Sequence, residues 1–301
     1  MKHLLSIESL DAAEIHQILD LTTKMKSERG RHEAQPLRQQ CWAMIFSKSS
    51  TRTRVSFEVG IRELGGDVMF LSASEIQLGR GEPIRDTARV MGRMLHGAVI
   101  RTFAQSDVEE FARYGGIPTI NALTDDEHPC QILADLFTIR EKLGGFEGKT
   151  ICFAGDGACN VPRSWIWAAA KLDLNLIIAA PAGYQPNPAF LAKAGGDHVR
   201  VTDDLRAAAS GADVVYTDVW VSMGKEAEAE KRAAELIGYQ INTEIVKRAA
   251  PGALVMHCLP AYRGKEITDD VFESHAQTIF DQAENRLHAQ KAVLSLLTSP
   301  L

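Results

Sequence analysis

The sequence has few cysteines and no apolar run of the ~18 residues that a membrane-spanning helix requires. Only 5 of its 301 residues are cysteine, and no two have the C-x-x-C spacing of structural zinc sites. The N-terminal stretch MKHLLSIESLDAAEIHQILDL lacks the apolar core and cleavage site of a signal peptide. We therefore expect a cytoplasmic protein with reduced thiols, with no membrane association and no bound metal ion.

The charge balance is mildly acidic, with 33 Lys and Arg against 39 Asp and Glu and a formal net charge of −6. This balance argues against a general nucleic-acid binder, so any basic site has to be local. The composition, 45% hydrophobic and 24% charged, is that of an ordinary globular protein. Because the chain is longer than one typical domain, we expect two domains.

Short apolar runs alternate with amphipathic helical patterns along the chain, which predicts parallel β-sheets. In the first half, strands are predicted at 41–46, 67–71, 97–103 and 117–123. The second half repeats this order from about residue 149, beyond the glycine-rich boundary KLGGFEGK. The sequence thus predicts an α/β fold with two domains, each a parallel sheet flanked by helices.

Polar residues follow six of the predicted strands at their carboxyl ends, where open parallel sheets bind ligands. These residues are Ser50, Thr51, Arg52 and Thr53 after the first strand, Arg101, His128 with Gln131, Asn160 within GDGACN, Asp218 with Ser222 and Met223, and His257 with Cys258. We expect them to converge on ligand sites, because the opposite strand ends carry few such residues.

The stretch SSTRTR, residues 49–54, joins a strand to a helix and predicts a phosphate site. Backbone N–H groups at a helix N-terminus favour an anion, and Ser50, Thr51 and Thr53 add hydroxyl donors. Arg52 adds a planar fork that can bind two phosphate oxygens. The alternative is that the hydroxyls only cap the helix. Arg101 weakens this alternative, because its charge at the end of an apolar strand would be buried without a partner unless an anion bound there.

The residues by themselves also allow three other kinds of site: a nucleotide site, a cysteine nucleophile and a metal site. GDGACN lies between a strand and a helix, but it is not G-x-G-x-x-G, and Asp156 would repel a pyrophosphate. Cys258 could be a nucleophile, although neighbours in a strand point to opposite faces and His257 would be a poorly placed base. His128 lies near Gln131 rather than near a second strong metal ligand. A nucleotide-binding oxidoreductase and a non-catalytic anion-binding protein therefore remain as alternatives.

Six motifs in order resemble those of the ornithine carbamoyltransferase family, from about residue 40 to the C-terminus. They are SSTRTR, DTARVM, HPCQ, GDG followed by Asn160, TDVWVSMG and HCLPAYRG. The resemblance implies transfer of a carbamoyl group from carbamoyl phosphate to the side-chain amine of ornithine, giving citrulline in arginine biosynthesis. It also implies a trimer, or a multiple of trimers, with shared active sites and no cofactor or metal. The domains would be 1–142 for carbamoyl phosphate, 143–283 for ornithine and a C-terminal helix, 284–301, that returns to the first domain.

The resemblance assigns a role to each matched residue. Carbamoyl phosphate would be bound by Ser50, Thr51, Arg52, Thr53, Arg101, His128, Gln131, Cys258, Leu259 and Arg286, and by Gln77 from a neighbouring subunit. Ornithine would be bound by Asn160, Asp218, Ser222 and Met223. The catalytic residues would include Arg101 and His128, which face the carbamoyl oxygen. Because Asp218 and Cys258 follow adjacent strand ends, we also expect these two residues to be catalytic, orienting the amine and relaying its proton.

Three residues depart from the usual family pattern. Cys159 replaces the first of two asparagines, Arg163 stands where a smaller polar residue is usual, and Tyr262 stands where histidine is frequent. Because Arg163 and Tyr262 are expected near the pocket, a related acceptor such as putrescine or N-acetylornithine remains an alternative.

Overall fold

The computed structural model describes residues 1–76, 81–221, 224 and 226–298. The chain divides into two compact units. Unit 1 comprises Met1–Phe137 and the chain from Glu284 onward, and unit 2 comprises Thr138–Ala283. The sequence places its boundary slightly later, within residues 142–149.

Unit 1 contains a four-stranded parallel sheet in the order β2-β1-β3-β4. Its strands are β1 Cys41–Phe46, β2 Asp67–Ser72, β3 Gly97–Arg101 and β4 Thr119–Leu123. Its helices are α1 Ala12–Ser27, α2 Thr51–Glu63, α3 Ile84–Met91 and α4 Gln105–Gly115. β1 and β3 are almost entirely buried because helices cover both faces of such a sheet, which explains their continuous apolar runs.

Unit 2 contains a five-stranded parallel sheet in the order β7-β6-β5-β8-β9. Its strands are β5 Thr150–Ala154, β6 Asn175–Ala179, β7 Val199–Thr202, β8 Val214–Thr217 and β9 Leu254–His257. Its helices are α6 Asn160–Lys171, α7 Pro188–Ala194, α8 Leu205–Ala209, α9 Ala229–Leu236, α10 Thr243–Val246 and α11 Asp269–Ser274. The apolar pattern of the sequence does not predict the edge strand β7, which is short and only partly buried.

Two helices have residues in both units. They are α5, Pro129–Leu143, and α12, Ala276–Thr298. The part of α12 from Glu284 onward belongs to unit 1, so the predicted return of the C-terminal helix is confirmed. Within the described part of the chain, no helix is both long enough and apolar enough to cross a membrane.

Local sequence explains where several helices begin. Asp11 and Glu14 form a reciprocal capping box at the start of α1. Ser50 caps α2 by accepting a hydrogen bond from the backbone N–H of Thr53. The cap fixes the first turn of α2 at the carboxyl end of β1, so the predicted anion-binding turn starts from a defined backbone geometry.

The close packing of β1 on β3 can be tested at Gly97, which pairs with Trp42 in the sheet. A Cβ at Gly97 would lie 2.5 Å from ring atoms of the fully buried Trp42. Overpacking costs about 1 to 3 kcal/mol, so Gly97→Ala should lower the urea midpoint of unfolding. Gly238→Ala is the control, because a Cβ there would meet nothing within 4 Å. Equal midpoints in the two variants would contradict this packing.

Candidate active site

In unit 1 the predicted anion-binding residues gather around the first turn of α2. Thr53 is fully buried, and its Oγ1 accepts a hydrogen bond of 2.9 Å from Nη2 of Arg286. Arg101, at the end of β3, is also buried. Ser50 and Arg52 are half-buried, and Thr51 is exposed. The turn thus combines a helix N-terminus with two buried guanidinium groups, which favours a bound anion.

His128 and Gln131 come from the start of α5 and are both buried. Burial lowers the pKa of His128 well below its usual value, and the charges of Arg286 and Arg101 lower it further. The imidazole is therefore neutral at physiological pH and can donate a hydrogen bond without adding a third positive charge. Gln131 donates from Nε2 to Oδ1 of Asp135 at 2.8 Å, which leaves its carbonyl oxygen as an acceptor for an N–H donor.

Arg54, the second arginine of the SSTRTR motif, is directed away from the predicted phosphate site. Its guanidinium lies 3.8 Å from the ring centroid of Phe70 and pairs with Glu58 at 3.5 Å. Arg54 therefore has a structural explanation, whereas Arg52 of the same motif retains its predicted role.

In unit 2 the sheet brings Asp218 and Cys258 together at the ends of the adjacent strands β8 and β9. The thiol of Cys258 donates to Oδ1 of Asp218 at 2.8 Å, and the backbone N–H of Val219 donates to the same oxygen at 2.7 Å. Burial raises the pKa of the Asp218 carboxyl. A carboxylate of this kind is suited to orient an amine and to accept its proton.

His257 lies closer to Cys258 than strand alternation predicts. One ligand atom from each of Asp218, His257 and Cys258 lies within 4.8 Å of the others. The prediction of opposite faces is wrong here because β9 ends at His257 and Cys258 begins the following loop. His257 nevertheless accepts from the Leu259 N–H at 2.8 Å and lies 3.2 Å from Glu266, so its ring nitrogens are used to shape this loop.

The same three side chains are of the types that bind zinc. However, the thiol of Cys258 is hydrogen-bonded to Asp218, and His257 is committed to Leu259 and Glu266. Each of the three side chains thus has a hydrogen-bonding role here, and the absence of a required metal remains a prediction.

Asn160 is the first residue of α6 and is half-buried. The preceding Gly155 has φ +126°, and a Cβ at Gly157 would lie 2.5 Å from Ile178. Both glycines are therefore required by the backbone geometry and by packing on β6. The two glycines of GDGACN thus have a structural explanation that requires no nucleotide.

Three predicted ligands, Gln77, Ser222 and Met223, lie outside the described residues. The three residues that depart from the family pattern are among the described residues. Arg163 stacks on Phe190 of α7 at 4.7 Å, Cys159 is buried with its thiol donating to the Asp156 carbonyl oxygen at 3.1 Å, and Tyr262 is exposed. Arg163 thus has a packing partner on the neighbouring helix.

Lys48, which no sequence pattern indicates, links the three strand-end loops of unit 1. Its buried ammonium pairs with Asp125 and lies 4.3 Å from the ring centroid of Phe103. These residues lie after β1, β3 and β4, beside the loops that carry the anion-binding residues. The only signal in the sequence is the position of Lys48, two residues before Ser50.

The fold and the strand-end clusters define a two-unit α/β protein of the class that binds small ligands at the carboxyl edges of its sheets. Residues 2–141 match the family described as aspartate/ornithine carbamoyltransferase, carbamoyl-P binding domain, and residues 147–297 match its Asp/Orn binding domain. The chain therefore belongs to the aspartate/ornithine carbamoyltransferase family.

Individual relatives agree over nearly the whole chain. The ornithine carbamoyltransferase of Akkermansia muciniphila is 58% identical over 299 residues, which cover 99% of this chain and 98% of the relative. The structure of the Pyrococcus furiosus ornithine carbamoyltransferase has a TM-score of 0.93 at 44% identity and covers 100% of this chain and 98% of that one. The anabolic enzyme of Campylobacter jejuni has a TM-score of 0.92 at 40% identity, with 99% of each chain covered.

The neutral state of His128 predicts a pH dependence of folding. Because the folded protein lowers the pKa of His128 below its usual 6.5, the unfolded chain takes up this proton first as the pH falls. The stabilising contribution is complete above about pH 6.5 and is lost below it, by up to about 1.4 kcal/mol per pH unit. His128→Gln should therefore show a smaller loss of unfolding free energy between pH 7.5 and pH 5.5 in urea titrations. Parallel pH profiles for wild type and variant would contradict a neutral His128.

Proposed function

We propose that this protein is an ornithine carbamoyltransferase, which transfers the carbamoyl group of carbamoyl phosphate to the side-chain amine of L-ornithine and releases citrulline and phosphate. The observation that carries the proposal is the cluster of Arg101, Arg286 and neutral His128 at the N-terminus of α2. A phosphate attached to a carbonyl group needs such a site, because one end is strongly anionic and the other gains negative charge during the reaction.

In unit 1, the phosphate of the donor binds at the first turn of α2. The backbone N–H groups there, the hydroxyls of Ser50, Thr51 and Thr53, and the Arg52 fork supply the donors. Gln77 adds a donor from a neighbouring subunit. Gln131, Arg286 and the backbone of Cys258 and Leu259 position the carbamoyl nitrogen.

The reaction is attack by a neutral amine on the carbamoyl carbon, followed by loss of phosphate. Negative charge develops on the carbamoyl oxygen in the tetrahedral intermediate. Arg101, His128 and Thr53 stabilise this charge as pre-placed donors, of which each typically contributes ~10²- to 10³-fold in rate. Because His128 is already neutral, it can serve as a donor without first losing a proton.

Ornithine is assigned to unit 2. Asn160, Ser222 and Met223 bind its α-amino and α-carboxylate groups, and Asp218 with Cys258 orients the side-chain amine. The 2.8 Å thiol–carboxylate hydrogen bond supports this assignment, because it places a proton acceptor and a thiol at one point of the strand edge. Putrescine lacks the α-carboxylate and should be a poor substrate for such a site.

A trimer with shared sites is also part of the proposal. Unit 1 exposes large apolar side chains on α2, β2 and α3 and after α3, namely Val55, Met69, Val90 and Met94. A contiguous surface of such residues would favour association with another chain. A cytoplasmic location is supported by the five free cysteines, of which Cys130 and Cys152 are buried thiols whose pKa burial raises to about 12.

The direct test is a colorimetric citrulline assay with carbamoyl phosphate and ornithine. Wild type should form citrulline, and Arg101→Ala and His128→Ala should each lower kcat by about 10²- to 10³-fold while circular dichroism shows a folded chain. Arg62→Ala is the control, because Arg62 is exposed and its described ion pair is with Glu58. Near-wild-type turnover in both site variants would contradict the assigned roles.

A parallel titration with NADH distinguishes the carbamoyltransferase from the main alternative, a nucleotide-binding oxidoreductase. Citrulline formation without NADH binding supports the carbamoyltransferase, whereas tight NADH binding without citrulline would favour a nucleotide-binding oxidoreductase.

The shared site predicts complementation between two inactive variants. Gln77→Ala and Arg52→Ala each damage a different contribution to the phosphate pocket, so mixed trimers regain some intact pockets. Activity should therefore reappear after the two variants are unfolded together and reassembled. Each variant reassembled alone is the control, and a fully active monomer in analytical ultracentrifugation would refute the shared site.

A further inference from the structure

One buried ion pair of unit 2 lies outside the assigned substrate ligands. Arg232 on α9 donates from Nη1 and Nη2 to Oδ2 of Asp156, at 3.0 Å and 2.6 Å. The side chains are only 3% and 4% exposed. Two such charges leave water only at a considerable cost, which makes the pair a specific feature rather than a surface contact.

The guanidinium of Arg232 is held by neighbours from other elements of unit 2. It lies 5.0 Å from the ring centroid of Tyr184, which follows β6. The hydroxyl of Tyr184 donates to Glu235 of α9 at 2.6 Å, and Glu228 lies 3.6 Å from Nε of Arg232. These contacts tie α9 to the carboxyl ends of β5 and β6.

Asp156 also organises the turn that leads to Asn160. Its Oδ1 accepts the backbone N–H of Ala158 at 3.1 Å, and its carbonyl oxygen accepts from the thiol of Cys159 at 3.1 Å. With one carboxylate oxygen on the turn and the other on Arg232, a displacement of Arg232 is transmitted to the start of α6. Asn160 is the first residue of that helix.

The position of Asp156 creates an electrostatic problem for an amino-acid substrate. β5 and β8 are neighbours in the sheet, so Asp156 and Asp218 follow adjacent strand ends. A second uncompensated carboxylate here would repel the substrate's α-carboxylate and compete with Asp218 for the side-chain ammonium. The two-pronged contact with Arg232 compensates this charge.

We propose that Arg232 and Asp156 are a positioning pair for the amino-acid acceptor: Arg232 cancels the charge of Asp156 and fixes the turn that presents Asn160. The inference rests on the proposed function, because it names the acceptor site as the one affected. It also explains why an acidic residue is compatible with the GDG turn.

The test compares steady-state kinetics of four Arg232 and Asp156 variants with wild type. Arg232→Met leaves the carboxylate of Asp156 buried and uncompensated, so KM for ornithine should rise at least ~30-fold. KM for carbamoyl phosphate should change by less than ~3-fold, because its assigned residues lie mainly in unit 1. Asp156→Asn with Arg232→Met removes both charges and should recover part of the ornithine affinity.

Two further variants separate charge from geometry and from general damage. Arg232→Lys keeps the charge but loses the two-pronged contact, so its KM for ornithine should lie between those of wild type and Arg232→Met. Asp156→Asn alone should also raise KM for ornithine, because it leaves Arg232 buried without its partner. Arg206→Met is the control, since Arg206 forms an exposed ion pair with Glu244 in the same unit.

The outcomes distinguish this inference from the proposed function. Wild type that forms no citrulline refutes the proposed function itself. Active wild type with unchanged ornithine KM in Arg232→Met and Arg232→Lys overturns the positioning pair. Equal increases in both KM values, or a double variant no better than Arg232→Met, would reduce the pair to a purely structural role and also overturn it.

Discussion

Arg286 donates a hydrogen bond to Thr53 across 2.9 Å, although 233 positions separate the two residues in the chain. The contact exists because α12 lies against α2. A second link joins the same helices, since the buried Lys291 donates to Glu63 at 2.6 Å and lies 2.8 Å from His32. A Cβ at Gly60 of α2 would come within 3.2 Å of the Lys291 side chain, so the helices pack closely between these links. The predicted anion-binding turn of unit 1 therefore depends on the return of the last helix.

The return of α12 also contributes to the neutral state of His128. Burial lowers the pKa of this imidazole most, and the charges of Arg286 and Arg101 lower it further. The two positive groups that favour an anion therefore also help to keep their neighbour neutral. A protonated histidine would bind a phosphate more strongly, but it would bind the free phosphate product equally well. A neutral donor instead contributes most when negative charge develops on the substrate oxygen.

The sequence predicts those parts of the fold and site that depend on local pattern. Alternating apolar and amphipathic segments are enough for the two parallel sheets, and the strand-end rule is enough to select Arg101, His128 and Asp218. Arg286 came only from the resemblance to a family, because no local pattern predicts which helix returns to which sheet. Lys48 and Arg232 were missed for the same reason: each is explained by a partner far along the chain, and a lone basic residue in a sequence has no visible partner. The edge strand β7 was missed because its partial burial gives only a weak apolar signal.

The two units also face different chemical demands, and this difference explains their different polar groups. In the proposed reaction, unit 1 holds a strong anion, for which fixed positive charge is sufficient. Unit 2 receives an amine that, with a lysine-like pKa of ~10.4, is almost entirely protonated near neutral pH. Direct proton transfer from such an amine to an ordinary carboxylate, of pKa ~3.9, is unfavourable by roughly 9 kcal/mol. Burial raises the pKa of Asp218 and narrows this gap, while the hydrogen bond from Cys258 keeps the carboxylate oriented. A second uncompensated carboxylate at this edge would be harmful for the same reason. Such a carboxylate would stabilise the protonated amine without lowering the barrier to its deprotonation. The buried contact with Arg232 keeps Asp156 from competing with Asp218 for the amine.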